Sequence, residues 1–286
     1  MAESTSQVRH GDLVFSVRSA GPERGEAVIL LHGFPQTPAM WSPYLARLGA
    51  AGFRAVAPAQ RGYAATARPA SVGQYTLDLL AEDVLAVADG LGIDTFHLVG
   101  HDWGGVVGWS LASSHPDRVR SWTSVSTPHP KAFASSLWRS AQLARSWYIG
   151  FFQVPQVPER LLTAANGLLL RRALRSSGLP GADADAYADA MVEPGAMAAA
   201  LAYYRALHPG KALGIGRSNV PTLLVWGTED VALGREAALS TKTEVEAPYR
   251  LEILEGASHW IPETRVDELT ALLLDHLSSQ ATSTAA

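Results

Sequence analysis

The six residues Gly100-His101-Asp102-Trp103-Gly104-Gly105 lie between an apolar run at 96–99 and a segment of helical character, Trp103–Ser114. A strand that enters a helix without an intervening loop must do so through a sharp turn, and small residues at 100 and 104 permit one. Strand followed directly by helix is also the unit of a parallel sheet, because each parallel strand needs a crossover to reach the next. The surrounding sequence repeats that unit. Ala27–Leu31, 53–58, 96–99 and Val119–Val125 read as short buried strands, with helices at 40–51, 76–91 and Trp103–Ser114. Within 76–91, Leu79, Leu80, Val84, Leu85, Val87 and Leu91 recur at helical spacing, and Gly92 is the stop signal. Continuous apolar strands alternating with helices predict an α/β fold, a mostly parallel central sheet flanked by helices on both faces.

The alternation stops after Thr127-Pro128-His129-Pro130. From 131 to 218 only helical and loop patterns occur, and they are rich in aromatics: Trp138, Trp147, Tyr148, Phe151, Phe152, Tyr187, Tyr203 and Tyr204. Strand character returns at 221–226 and Tyr249–Leu254, and 266–277 makes a final amphipathic helix. The expected organisation is a core formed by 1–128 and 219–286, with 129–218 inserted between two of its strands as a helical cap.

Composition removes several classes of function. With 47% hydrophobic and 17% charged residues in 286, the chain can bury a sizeable core. A net charge of -4 offers no basic footprint for nucleic acid. The absence of cysteine excludes disulfides, thiolate metal sites and a thiol nucleophile together. Residues 1–12 are polar and lack the apolar centre of a secretory signal. The apolar stretches are broken by His32, His101, Asp102 or glycines, so none reads as a membrane span, and a cytoplasmic enzyme is expected. No metal-ligand spacing or phosphate loop appears, so no cofactor or metal is expected.

Asp102 has two readings: the helix cap of an ordinary strand–helix turn, or the raised residue of a G-x-nucleophile-x-G elbow. The partners that an elbow requires follow in the order acid, then histidine. Trp226-Gly227-Thr228-Glu229-Asp230 follows one expected strand and Gly256-Ala257-Ser258-His259-Trp260 the last one. Asp230 and His259 therefore stand at the carboxyl ends of strands, the face where open α/β sheets bind ligands. Glu229 is the alternative acid.

With these residues in place the chain resembles the epoxide hydrolases of the α/β-hydrolase fold over nearly its whole length. The matching residues are His32-Gly33-Phe34-Pro35, the Asp102 elbow, Asp230, His259 and two tyrosines of the insertion. These tyrosines are Tyr148 in Trp147-Tyr148-Ile149-Gly150-Phe151-Phe152-Gln153 and Tyr204 in Ala202-Tyr203-Tyr204-Arg205, with Tyr203 the rival of Tyr204. The resemblance implies an oxyanion hole made by the backbone N–H groups of Phe34 and Trp103, and a small-molecule epoxide as substrate. Phenols with a pKa near ~10 stay protonated at neutral pH and can donate to an epoxide oxygen. One departure stands out. In Pro58-Ala59-Gln60-Arg61-Gly62-Tyr63 the second residue is Ala59, where relatives usually carry an aspartate that supports the loop.

Aspartate in place of serine narrows the chemistry. A carboxylate attacking an acyl carbon would form an anhydride, whereas attack on a saturated carbon forms an ordinary ester that water can open. Asp102 thus points to displacement at an sp³ carbon, with no base needed to ionise a carboxyl whose ordinary pKa is ~3.9. His259 is assigned to activating water and Asp230 to orienting the imidazole. The same nucleophile serves haloalkane and haloacid dehalogenases. A halide, however, leaves without a proton, whereas an epoxide leaves as an alkoxide and needs an acid. Haloalkane dehalogenases usually carry a polar residue at the position of Phe34, and haloacetate dehalogenases carry arginines at those of Trp103 and Val106. A non-catalytic ligand-binding protein is the reading from another class. The aromatic cap residues Trp138, Phe151 and Phe152 suggest an apolar or aromatic substrate.

Overall fold

A computed structural model of the protein describes residues 3–137, 142–207 and 214–281. Eight strands form one sheet: β1 (Ser4–His10), β2 (Leu13–Ala20), β3 (Ala27–Leu31), β4 (Arg54–Pro58), β5 (Phe96–His101), β6 (Val119–Val125), β7 (Thr222–Gly227) and β8 (Tyr249–Leu254). Their spatial order is β1-β2-β4-β3-β5-β6-β7-β8. From β4 to β8 all neighbours are parallel, and the β1–β2 and β2–β4 pairs are antiparallel. Every residue of β3, β5 and β7 is buried, as their unbroken apolar runs require of strands covered on both faces. The expected α/β class is the one observed.

Helices α1 (Ser42–Ala50), α2 (Leu77–Gly90) and α3 (Trp103–Ser114) form the crossovers among the first parallel strands. The segment 40–51 is not one helix: a 3-10 turn at Pro38–Trp41 precedes α1, which has a proline in its first turn. Proline fits there because the N–H it lacks would have had no partner within the helix. The hairpin β1–β2 was not expected from the sequence. β1 has only Val8 buried, so this edge strand carries no apolar run to mark it.

Between β6 and β7 lie six helices among the described residues: α4 (Pro130–Ser136), α5 (Gln142–Arg145), α6 (Trp147–Phe152), α7 (Val157–Ser176), α8 (Gly181–Val192) and α9 (Ala196–Ala206). Trp138 lies outside the described residues. The chain closes with α10 (Arg235–Ser240), α11 (Ile261–Thr264) and α12 (Val266–Ala281).

The loop that holds Ala59 obtains its acid from elsewhere. Arg61 donates to both carboxylate oxygens of Asp83 on α2, at 2.6 and 2.7 Å, and His10 lies 2.9 Å from the same group. Arg61 and Asp83 are both buried, so each requires the other. Tyr203 of α9 donates to the Arg61 carbonyl at 2.6 Å and ties the insertion to this loop.

Candidate active site

Asp102 sits between β5 and α3 with φ 50° and ψ -119°, a conformation that a residue with a side chain adopts only when its surroundings enforce it. The enforcement is steric. A Cβ added to Gly104 would lie 2.3 Å from the Leu31 carbonyl oxygen, and one on Gly33 would lie 2.3 Å from Asp102 Cβ. Helix α3 and the loop after β3 therefore approach the turn more closely than any other residue would allow. The Asp102 side chain makes none of the bonds of a helix cap. Its Oδ1 instead accepts the Phe34 N–H at 2.7 Å, and the Trp103 N–H faces the same carboxylate and favours its charge. The two amides named as oxyanion donors thus converge on this one group. Burial raises the Asp102 pKa, opposed by the positive charge of His259 and by the two amides.

The other carboxylate oxygen, Oδ2, faces His259 Nε2 at 3.9 Å, and His259 Nδ1 lies 2.9 Å from Asp230 Oδ2. The second oxygen of Asp230 accepts the N–H groups of Ala232 and Leu233, each at 2.8 Å, so the turn after β7 fixes the carboxylate's aim. Glu229 is exposed, and it is Asp230 that meets the imidazole. Burial opposes a charge on His259. The carboxylates of Asp230, Asp102 and Glu263 outweigh that penalty and push its pKa up to about 9. Asp230→Asn removes the strongest of these carboxylates. The His259 titration, followed by imidazole NMR, should then have its midpoint well below 9; an unchanged midpoint would contradict this account.

The main chain of His259 is fixed as well. Its carbonyl lies 2.9 Å from both His101 Nε2 and the Ser126 hydroxyl. His101 Nδ1 faces Gln36 Oε1 at 2.8 Å, and that oxygen also accepts the Gly33 N–H at 2.9 Å. Burial, and then the charge of His259, hold the His101 pKa well below its usual value, so its ring carries one proton. That proton serves one acceptor at a time, and Ser126 supplies the His259 carbonyl in either case. His32 behaves similarly: Nε2 accepts the Gln60 N–H at 3.2 Å, Nδ1 donates to Gly33 O at 3.1 Å, and the ring links two site loops. Sequence reasoning missed Gln36, Ser126 and Glu263, because single polar residues in loops or in a one-turn helix carry no periodic signal.

Tyr204 on α9 and Tyr148 on α6 stand over this centre. The Tyr204 ring packs edge-on against Trp103 at 4.9 Å and Phe34 at 5.7 Å, and the Trp103 side chain favours the ionised form of its hydroxyl. Tyr148 lies 6.2 Å from Tyr204, ring to ring, and 5.6 Å from Phe152. Burial and then the Asp102 charge raise both phenol pKa values, so both hydroxyls keep their protons at neutral pH. Tyr203 points elsewhere, its hydroxyl engaged by the Arg61 carbonyl. Phe34, Trp103, Phe152 and the two tyrosines make an apolar wall around Asp102. Among the described residues, no cluster of His, Asp and Glu could hold a metal ion.

The comparisons agree with this architecture. The chain matches the family model described as alpha/beta hydrolase fold over residues 26–266. It is 33% identical to AB hydrolase superfamily protein YfhM of Bacillus subtilis (strain 168), across 96% of this chain and 97% of that one. Epoxide hydrolase 4 of Homo sapiens is 32% identical, across 96% of this chain and 78% of its own length. The crystal structure of Bacillus megaterium epoxide hydrolase with an inhibitor superposes with a TM-score of 0.85 at 26% identity, covering 96% of this chain and 100% of that one. Among the described residues no helix is long and apolar enough to cross a membrane.

Proposed function

The chain belongs to the α/β-hydrolase fold family, within its epoxide hydrolases, and from that premise we propose that it converts an epoxide to a vicinal diol through an ester on Asp102. The observation that carries the proposal is a carboxylate in the elbow with two protonated phenols beside it. Asp102 Oδ2 attacks a ring carbon and the carbon–oxygen bond of the strained ring breaks. The released electron pair stays on the ring oxygen, which takes a proton from Tyr148 or Tyr204.

His259 closes the proton balance. With a pKa pushed up to about 9, it rests as the cation at neutral pH. Esterification removes the Asp102 charge, one of the anions that hold this proton, and the proton passes to the phenolate. The imidazole is then neutral and can take a proton from water. That water attacks the ester carbonyl carbon, and negative charge develops on Oδ1, already held by the Phe34 N–H with the Trp103 N–H facing the same group. Collapse expels the diol oxygen, which takes the proton from His259. The Asp102 carboxylic acid returns its own proton to the imidazole, and the starting state is restored. The 3.9 Å between His259 Nε2 and Asp102 Oδ2 is too long for a hydrogen bond and suits a base that acts on water. The aromatic wall supports an apolar or aromatic epoxide as substrate, with 129–218 acting as the cap that supplies the acids.

His259→Gln separates the two half-reactions. Mixed with a panel of epoxides, the variant should gain the mass of one intact epoxide on the peptide that contains Asp102, because alkylation proceeds while hydrolysis stalls. Label on another peptide, or label only from alkyl halides, would refute the proposal.

A further inference from the structure

Glu263 lies on α11, four residues after His259, and the reaction above gives it no part. It is half-buried, with its carboxylate turned inward, and ties three elements together. Its Oε1 accepts from Gln36 Nε2 at 2.7 Å and from the Tyr187 hydroxyl of α8 at 2.8 Å, while its Oε2 is buried without a partner. Gln36 cannot turn its amide around, because its own oxygen is held by the Gly33 N–H. Both groups on Glu263 are therefore donors, the environment of a carboxylate anion. Gly33 in turn precedes Phe34, whose N–H bonds Asp102 Oδ1.

We propose that Glu263 is a positioning residue for the epoxide hydrolase reaction: its carboxylate seats the Gln36 side chain that braces the Phe34 amide, and its charge helps keep the proton on His259. The inference rests on the function proposed above. It also rests on low local dielectric, since a buried charge acts over distances at which water would screen it. Around Glu263 the charged and titratable neighbours are Tyr187 and Asp183 of α8, Tyr44 of α1 and the imidazole of His259. Around His259 they are Asp230, Asp102, Glu263 and His101. Burial, the largest influence, raises the Glu263 pKa above the ordinary carboxylate range, and the Gln36 and Tyr187 donors oppose that rise and favour the anion.

Glu263→Gln keeps the size of the side chain and an acceptor for both donors while deleting the charge. An imidazole NMR titration should place the His259 midpoint below 9 by half a unit or more, about a threefold loss of proton affinity. Glu263→Ala should show the same fall and lose at least about tenfold in kcat/KM, since the brace goes as well. Most of that loss should be restored by Gln. Circular dichroism and thermal melting identify a variant that has merely unfolded. An unmoved midpoint in Glu263→Gln, or an Ala variant as active as the Gln one, overturns the inference. The titration needs no substrate, so its failure is distinct from a failure to find epoxide turnover.

Discussion

Asp102→Asn should lower kcat by about four orders of magnitude or more, the scale seen when a member of a catalytic triad is deleted. The substitution is isosteric: the amide oxygen can still accept the N–H groups of Phe34 and Trp103, so the turn should survive. What disappears is nucleophilicity. A carboxamide is neutral, its lone pair is delocalised, and it cannot form the alkyl ester. Initial rates must be taken on fresh protein whose mass confirms asparagine, because slow deamidation would restore aspartate and appear as a lag. Full activity in the first cycle would end the covalent scheme, whatever the substrate.

Acid should destabilise the protein well above pH 4, through three buried histidines. His32, His129 and His276 are buried, and burial, the leading cause in each case, lowers their pKa values to about 4. Each has a folded pKa below its unfolded value of about 6.5, so its contribution to stability is complete above that value and declines as pH falls toward 4. At about pH 5 each costs roughly 2 kcal/mol, and three together roughly 6, a large part of the 5–15 kcal/mol that holds a typical domain. His259 has the opposite sign. Its raised pKa adds stability that is complete below about 6.5 and lost as pH rises through 9, so between pH 7 and 5 it offsets only a small part of the acid loss. Urea unfolding midpoints at about pH 7 and pH 5 measure the difference; equal midpoints would mean that these rings find partners for a second proton.

What the sequence could disclose followed from how local each signal is. Ala27–Leu31, Val119–Val125 and Trp103–Ser114 were legible to the residue because buried strands and a helix begun by a sharp turn leave their pattern in adjacent residues, and Tyr249–Leu254, though only half-buried, was legible too. β1 was not, since an edge strand with one buried side chain resembles any polar segment. The candidate chemistry was partly legible. Asp102, Asp230 and His259 each stand in a short motif, and the fold brings them within hydrogen-bonding distance or a little beyond. The choice between Tyr203 and Tyr204 depends on which face of α9 meets the loop at Arg61, a tertiary fact. The consequence of Ala59 was equally hidden, because the acid that Arg61 needs comes from Asp83, 22 residues further along the chain.

The helices between β6 and β7 interrupt the sheet at one point, and Asp102, Asp230 and His259 all come from outside them. In the proposed scheme, ester formation and ester cleavage are thereby encoded separately from the phenols. Grafting a different loop-in onto the same strands would leave an enzyme that still alkylates its aspartate and turns over, provided the departing atom can carry its own negative charge. What such an exchange would alter is the catalogue of bonds the protein can break.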